Sequence, residues 1–411
     1  MCGSLPGADF FATAWRVNEH ASIRDRAAIA GIGETAYTRE STVTEHQAAL
    51  EAIAAALDDA GLAPQDVDGL VRYDIETNSE LHIIYSLGVP HLRFFAGVPS
   101  GGGAVCGTLV LAAMAIATGQ ASTVVCFRAR NRGKRSSAGV GRLQGGRPWA
   151  KTPAELTDFY QYHVPFGLVT PAQEMATIYR RHMHEYGTTT EHFGAVAVAQ
   201  RAHAARNPRA VMRTPITLDD HRCSRWIAEP LRLLDCCLET DGACAVIVTS
   251  AERARDLRQR PAYILAGAQA EGPIHIHLAD YFRHWKAVTG GRYVAEQLYA
   301  MAGVRPADID AAMLFDHFSP AVILSLEDYG FCERGAGGAF VAAGNHAWPN
   351  GSLPVNTHGG SLSEAYIHGY NHILEGVRQI RGTSTCQVPD AELVLVTSSN
   401  TDPTGAVILR R

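Results

Sequence analysis

One stretch of this chain occurs twice, and the repeat limits the folds open to it. Asp59-Ala-Gly-Leu-Ala-Pro-Gln-Asp-Val-Asp-Gly-Leu-Val-Arg-Tyr-Asp74 lies over Met301-Ala-Gly-Val-Arg-Pro-Ala-Asp-Ile-Asp-Ala-Ala-Met-Leu-Phe-Asp316, sharing Ala-Gly, a Pro, two Asp and a closing Asp in one register. Each copy reads as a helix that stops at Gly, a Pro turn and the start of a strand. A weaker echo sets Ala243-Cys-Ala-Val-Ile-Val-Thr-Ser250 against Glu392-Leu-Val-Leu-Val-Thr-Ser398. Two matches in the same order argue for internal duplication. The expectation is two similar α/β halves about a pseudo-twofold axis, with the active site where equivalent turns and helix N-termini converge.

The pattern around the repeat supports an α/β chain. Ala27 to Gly33 reads as a buried strand, and Glu45 to Ala60 as a helix with Ala49, Ile53, Ala56 and Leu57 on one face and Gly61 as its stop. A strand over Val67 to Tyr73, a helix over Asn78 to Leu87, a strand over Leu92 to Val98, an Ala-rich helix over Gly103 to Thr118 and a strand over Ser122 to Phe127 follow. Such alternation favours a mostly parallel sheet with helices on its faces. It lapses between about Asn131 and Leu218, which reads as an insertion that builds the substrate pocket, and a second unit opens at Ala262-Tyr-Ile-Leu-Ala-Gly267. The expected organisation is an N-terminal extension over residues 1–26, an N-terminal half over 27–250 containing the insertion at about 131–218, and a C-terminal half over 261–411.

With 411 residues, the chain exceeds one ordinary core. A net charge of -5 gives no general pull toward nucleic acid or anionic membrane; the basic run Arg128 to Arg135 reads equally as a solvated loop or a phosphate site. Nine scattered cysteines without metal-type pairs suit reduced thiols in a cytoplasmic protein. No signal peptide or membrane span is read.

Chemistry concentrates in Asn356-Thr-His-Gly-Gly-Ser-Leu-Ser-Glu-Ala-Tyr-Ile-His-Gly369, where a strand end meets the pair Gly359 and Gly360 and then a helix expected to carry Glu364, Tyr366 and His368. Other constellations are weaker. His182-Met-His184 and His275-Ile-His277 lack a third ligand, so no metal site is assigned. Gly31-Ile-Gly33 lacks the dinucleotide fingerprint, and no serine lies in a nucleophile elbow.

Several motifs in order, Ser100-Gly-Gly-Gly-Ala104, Phe166 to Glu174, Asp241-Gly-Ala243, Asp316-His-Phe318 and Asn356-Thr-His-Gly-Gly360, resemble the thiolase superfamily from about Ala27 to Arg410. The resemblance implies a thiolase fold of two duplicated α/β halves packed as a layered α-β-α-β-α core with an inserted loop domain. A working thiolase carries a nucleophilic Cys, an oxyanion-turn Asn or His, a His after the Asn-x-x-Gly-Gly turn and a second Cys. Here those positions fall at Gly102 within Gly101 to Gly103, at Phe315, at Tyr366, and in Val396-Thr-Ser-Ser-Asn400, which has no cysteine. Cys106 sits one helical turn beyond Gly102 and reads as a small core residue.

The same losses, with Arg225 to Cys237, Glu364 to Gly369 and Glu375 to Gly382, resemble the lipid-transfer-protein-type aldolases that shorten steroid side chains. In that subgroup tyrosines hold both the oxyanion-turn and former His positions; this chain keeps Tyr366 but has Phe315. The implied reaction is retro-aldol cleavage of a bulky, steroid-like β-hydroxyacyl-CoA without a covalent Cys intermediate. Tyr366 is the expected acid/base, a role for which a phenol of reference pKa about 10 needs nearby donors or charge. His368, His358, His317 and Asp316 are further catalytic candidates, and Gly101, Gly102, Gly103, Phe315, Asn356, Gly359 and Gly360 are expected to line the substrate. No cofactor beyond the substrate's coenzyme A is expected. The resemblance also implies a homodimeric core and a small OB-fold, zinc-ribbon partner. Alternatives are a thiolase or acyltransferase using a non-standard Cys, or a non-catalytic acyl-CoA or sterol-binding subunit.

Overall fold

In both copies of the repeat, two aspartates do one structural job. Asp66 accepts from Ala63 N at 2.9 Å and Asp308 from Arg305 N at 2.8 Å, each closing the Pro turn. Two residues later, Asp68 accepts from Ser122 N and Thr123 N, both at 2.8 Å, while Asp310 accepts from Glu392 N at 2.8 Å and Leu393 N at 2.9 Å. A buried or edge N–H needs such a partner, so each Asp ties the strand it precedes to the start of a neighbouring strand. The helices before the turns end on left-handed Gly61 and Gly303, with φ of 74° and 69°.

The computed structural model describes residues 22–73, 75–99, 101–131, 167–168, 170–271, 289–400 and 403–411. The first half runs β1 (Ala27–Glu34), α1 (Glu45–Ala60), β2 (Gly69–Tyr73), α2 (Glu80–Leu87), β3 (Phe94–Val98), α3 (Val105–Ala117) and β4 (Thr123–Arg130). Then come α4 (Pro171–Tyr186), α5 (Thr190–Arg206), α6 (Leu218–Cys223), a hairpin of β5 (Trp226–Ala228) and β6 (Leu231–Arg232), β7 (Gly242–Ser250) and the single turn α7 (Ala251–Ala254). The second half has β8 (Ala262–Ala270), α8 (Gly290–Ala302), β9 (Ala311–Met313), α9 (Ser319–Asp328), α10 (Gly337–Ala342), α11 (Gly360–Ser363), α12 (Tyr370–Arg381), β10 (Leu393–Thr397) and β11 (Thr404–Arg410).

The strands lie in the order β3-β2-β4-β7-β1-β8-β11-β10-β9. β2 pairs in parallel with β3 and β4, as β9 does with β10, while β7 and β11 are antiparallel to both of their neighbours. The halves therefore match β1 to β8, β2 to β9, β4 to β10 and β7 to β11. This corrects the weaker sequence echo, which set β7 against β10. Short buried runs of Val and Thr are too alike to identify a strand, whereas the aspartates identify β4 and β10 without ambiguity. Val355 bridges Ala312 in parallel, occupying the place beside β9 that β3 occupies beside β2. The Gly-rich turn after β3 and the Gly-Gly turn after Val355 are thus equivalents, leading into α3 and α12.

Three apolar layers set the stack. α1 packs its alanine face on β1, β4 and β7; α3 and α12 lie between the two halves of the sheet; α8 and α9 cover the outer face of the second half. The close fit of α1 on β1 explains the Gly31-Ile-Gly33 run: a Cβ at Gly31 would lie 2.1 Å from Ala56 O and one at Gly33 2.1 Å from Ala52 O. Residues 22–26 tuck against this assembly, Asp25 N donating to Ile264 O at 3.1 Å. No helix among the described residues is long and apolar enough to cross a membrane.

Candidate active site

The Gly-Gly turn is built around a buried carboxylate. Gly359 and Gly360 both have left-handed φ, 107° and 63°, and a Cβ at Gly360 would lie 2.1 Å from Asp316 Oδ2. Only glycine admits that approach at that φ. Asp316 accepts from Ser361 N at 2.8 Å, from Leu362 N at 3.3 Å and from His372 Nε2 at 2.9 Å, so it anchors α11. Asn356, also left-handed with φ of 49°, accepts from Leu314 N and donates to Leu314 O, both at 2.8 Å. From the inserted region, α5 buttresses the turn from behind: Asn207 Nδ2 donates to His358 O at 3.0 Å and to Glu364 at 2.7 Å. Of the insertion expected over about 131–218 to build the pocket, residues 132–166 and 169 lie outside the described residues.

Glu364, Tyr366 and His368 do not ride on one helix, as the sequence suggested. They occupy the irregular link between α11 and α12, where His368 is left-handed with φ of 50° and Gly369 with φ of 87°. This backbone brings the Tyr366 and His368 rings together, while Glu364 turns to Asn207 and Asn371. From Leu353 to Ile380 every residue is buried except Tyr366, which is half-buried. Arg130 fixes it from β4, its guanidinium 4.8 Å from the Tyr366 ring centroid and its Nη1 donating to Tyr366 O at 2.7 Å. Two residues earlier on the same strand face, Arg128 Nε donates to His368 Nδ1 at 3.1 Å and Arg128 Nη1 to Glu76 at 2.9 Å. The Tyr366 and His368 rings meet edge to face, with centroids 4.9 Å apart.

Phe315, at the end of β9, is the centre of the other wall. Its ring lies 6.1 Å from that of Tyr366 and 5.5 Å from that of His317. A Cβ at Gly102 would lie 3.0 Å from both Phe315 Cζ and Ser399 Cβ. The position at which the resemblance places a thiolase nucleophile is therefore closed over by an aromatic ring. His317 is buried with neither ring nitrogen hydrogen-bonded among the described residues, and burial pushes its pKa down to about 3, leaving a neutral imidazole.

The remaining candidates fall behind this wall. The side chains of Asp316 and Asn356 are engaged in hydrogen bonds that anchor the turn. His358 is fully buried beside His372, ring centroids 4.8 Å apart, and burial holds its pKa well below the ordinary value. Gly103 faces Pro403 O, 2.0 Å from where its Cβ would be, and Gly101 opens the short turn leading into α3. Cys106 is buried in α3, its thiol pushed up to about 12 by burial and directed at Val396 O at 3.4 Å. Sequence reasoning missed Glu76 and treated Arg128 and Arg130 as part of a basic loop; both arginines are buried in β4. Their i, i+2 spacing at the carboxyl end of an apolar strand was the available signal. His182 lies on α4, bonded to Glu327 at 3.0 Å and Thr188 at 2.9 Å. Asp74, residues 132–135 of the basic run, Phe166, His275 and His277 lie outside the described residues.

Comparison with known proteins places this geometry. The family described as Thiolase C-terminal domain-like matches residues 275–406. A "Steroid side-chain-cleaving aldolase" from Thermomonospora curvata is 51% identical over 387 residues, covering 93% of this chain and 97% of that protein. A "17-hydroxy-3-oxo-4-pregnene-20-carboxyl-CoA lyase" from Mycobacterium tuberculosis is 48% identical, covering 93% of this chain and 99% of that protein. A solved structure described as an "Ltp2-ChsH2(DUF35) aldolase" superposes with a TM-score of 0.87 at 49% identity, covering 94% of this chain and 98% of the other. This chain belongs to the thiolase superfamily, in its family of steroid side-chain-cleaving aldolases.

Proposed function

We propose that this chain cleaves the Cα–Cβ bond of a bulky, steroid-like β-hydroxyacyl-CoA by a retro-aldol reaction, giving a ketone and a shorter acyl-CoA. The observation that carries the reading is the Gly102–Phe315 contact: the spot a thiolase gives to its nucleophile holds no side chain of its own and is covered by a ring. Cys106 offers no substitute, because a buried thiol pushed up to about 12 is not a thiolate at neutral pH.

Retro-aldol cleavage needs a group to take the hydroxyl proton and donors for the enolate. Tyr366 takes the proton, with the positive charge of Arg130 against its ring. The carbinol carbon becomes a ketone as the Cα–Cβ bond breaks, and the electron pair passes onto the thioester as an enolate. Donors at His368 and His317 stabilise the enolate oxygen, and Tyr366 returns the proton to Cα. No water, redox partner or acyl-enzyme enters the balance. Coenzyme A is part of the substrate, and no other cofactor is invoked. The M. tuberculosis relative's name pairs a 17-hydroxyl with a 20-carboxyl-CoA, the same β-hydroxyacyl relationship.

The working assembly is a homodimer joined by a small OB-fold, zinc-ribbon protein in the cytoplasm. The partner is supported by the relative described as an Ltp2-ChsH2(DUF35) aldolase. Support for the homodimer comes from edge strand β3 and neighbouring α2, where Phe95, Leu81 and Tyr85 are 65%, 71% and 89% exposed. The test is a product assay with and without the partner, on a steroid-type β-hydroxyacyl-CoA, with intact-mass analysis of the protein during turnover. Ketone and shorter acyl-CoA with no mass increase support the reading. An acyl adduct would replace it with thiolase chemistry, and binding without cleavage would leave a silent acyl-CoA-binding subunit.

A further inference from the structure

We propose that Glu76 and Arg128 are positioning residues that lock His368 as the neutral Nε2–H tautomer, making it a dedicated hydrogen-bond donor to the thioester oxygen. The inference rests on the retro-aldol reading and divides labour within it: Tyr366 moves the proton, and His368 only donates.

Hydrogen-bond polarity sets the tautomer. A guanidinium has five N–H donors and no acceptor, so the contact from Arg128 Nε to His368 Nδ1 at 3.1 Å requires a lone pair on Nδ1. The neutral ring then carries its proton on Nε2. A second proton on Nδ1 would break that bond and set imidazolium against guanidinium. Arg128 is itself fixed. Glu76 takes Arg128 Nη1 at 2.9 Å and Ala129 N at 2.7 Å on one oxygen, and Asn78 N at 3.2 Å and Asn78 Nδ2 at 2.6 Å on the other. Both members of the pair are buried, Arg128 at 5% and Glu76 at 4% exposure. A buried ion pair is a poor device for stability alone. Here it ends on a left-handed histidine whose ring meets that of Tyr366 at 4.9 Å. The pair comes from the first half and the histidine from the second, so the lock closes only when the halves are assembled.

The test is a double-mutant cycle on the enzyme assayed with its partner, with the tautomer read by 15N NMR of the His368 ring, assigned with H368Q. Arg128→Met is expected to lower kcat about a hundredfold with KM changed by less than about threefold. Arg128→Lys, which keeps the charge opposite Glu76 and protects the fold, is expected to lower kcat in the same sense. In a His368→Ala background Arg128→Met should cost less than about threefold further, because a residue that acts through His368 has nothing left to position. His368→Gln, which can donate but not titrate, should retain more activity than His368→Ala. Equal losses from Arg128→Met in both backgrounds would overturn the proposal, as would a wild-type His368 ring protonated on Nδ1. If wild-type protein and Tyr366→Phe alike fail to cleave any substrate, the retro-aldol reading fails, while the ring spectrum still decides the tautomer.

Discussion

Gly102 and Phe315 share one small volume, and neither residue is understood without the other. A nucleophile at 102 would collide with the ring, and a smaller residue at 315 would leave a void above the glycine. Gly102→Cys is therefore expected to lower stability by about 1–3 kcal/mol, read in urea, and to form no acyl-enzyme with an acyl-CoA. Cys106→Ala should keep kcat within about twofold, since a thiol pushed up to about 12 in a packed helix has no part in proton transfer. Loss of activity in that variant, at unchanged folding, would return the thiol to the mechanism. Arg130→Met should lower kcat more than tenfold while the fold persists, through loss of both the carbonyl contact and the charge at the Tyr366 ring. The missing cysteine and the Tyr366 position were legible in the sequence because each is a substitution within a recognisable motif. The arginines were not, because a basic run looks the same whether it leaves a strand or ends one inside the core.

At the scale of elements, the repeated aspartates carry more information than the strands they organise. Asp68 and Asp310 each pin the first residues of β4 and β10, which is why the repeat survives as sequence while the strands diverge. Helix α1, its Gly61 stop and the strand after it were readable from spacing, cap and alternation. The link over residues 364–369 was not, since Glu364, Tyr366 and His368 are equally compatible with helix, and left-handed His368 breaks the rule such a reading relies on. Asp316→Asn is expected to cost about 1–3 kcal/mol and to lower kcat as well, because the anchored turn carries Tyr366 on its far side. Stability lost with kcat intact would separate the turn from the chemistry.

Across the whole molecule, burial of neutral histidines sets a pH limit. Burial pushes His317 down to about 3, His203 and His346 to about 4, and His358 well below the ordinary range. In the unfolded chain each imidazole takes up a proton near pH 6.5, so the unfolded state binds more protons below that pH. The stability they contribute is present above about pH 6.5 and is lost as pH falls toward 4, at up to ~1.4 kcal/mol per pH unit for each group. Glu364, pushed up to about 8 by burial, works in the opposite sense, its contribution declining as pH rises through that value. Burial also raises Glu45 and Asp328 and lowers His192, so five histidines stand against three carboxylates and the balance is acid destabilisation: the urea midpoint should be lower at pH 5 than at pH 7, and an unchanged midpoint would contradict the neutral core. If β3 and α2 form the proposed homodimer interface, Phe95→Lys on edge strand β3 should shift the mass in light scattering from dimer to monomer, and an unchanged mass would contradict that interface. The central claim, that Tyr366 moves the proton in a reaction without an acyl-enzyme, is tested most directly by single-turnover cleavage of a β-hydroxyacyl-CoA by Tyr366→Phe. The account predicts substrate binding within a few-fold of wild type and cleavage slowed by about a hundredfold or more; cleavage at the wild-type rate would contradict it.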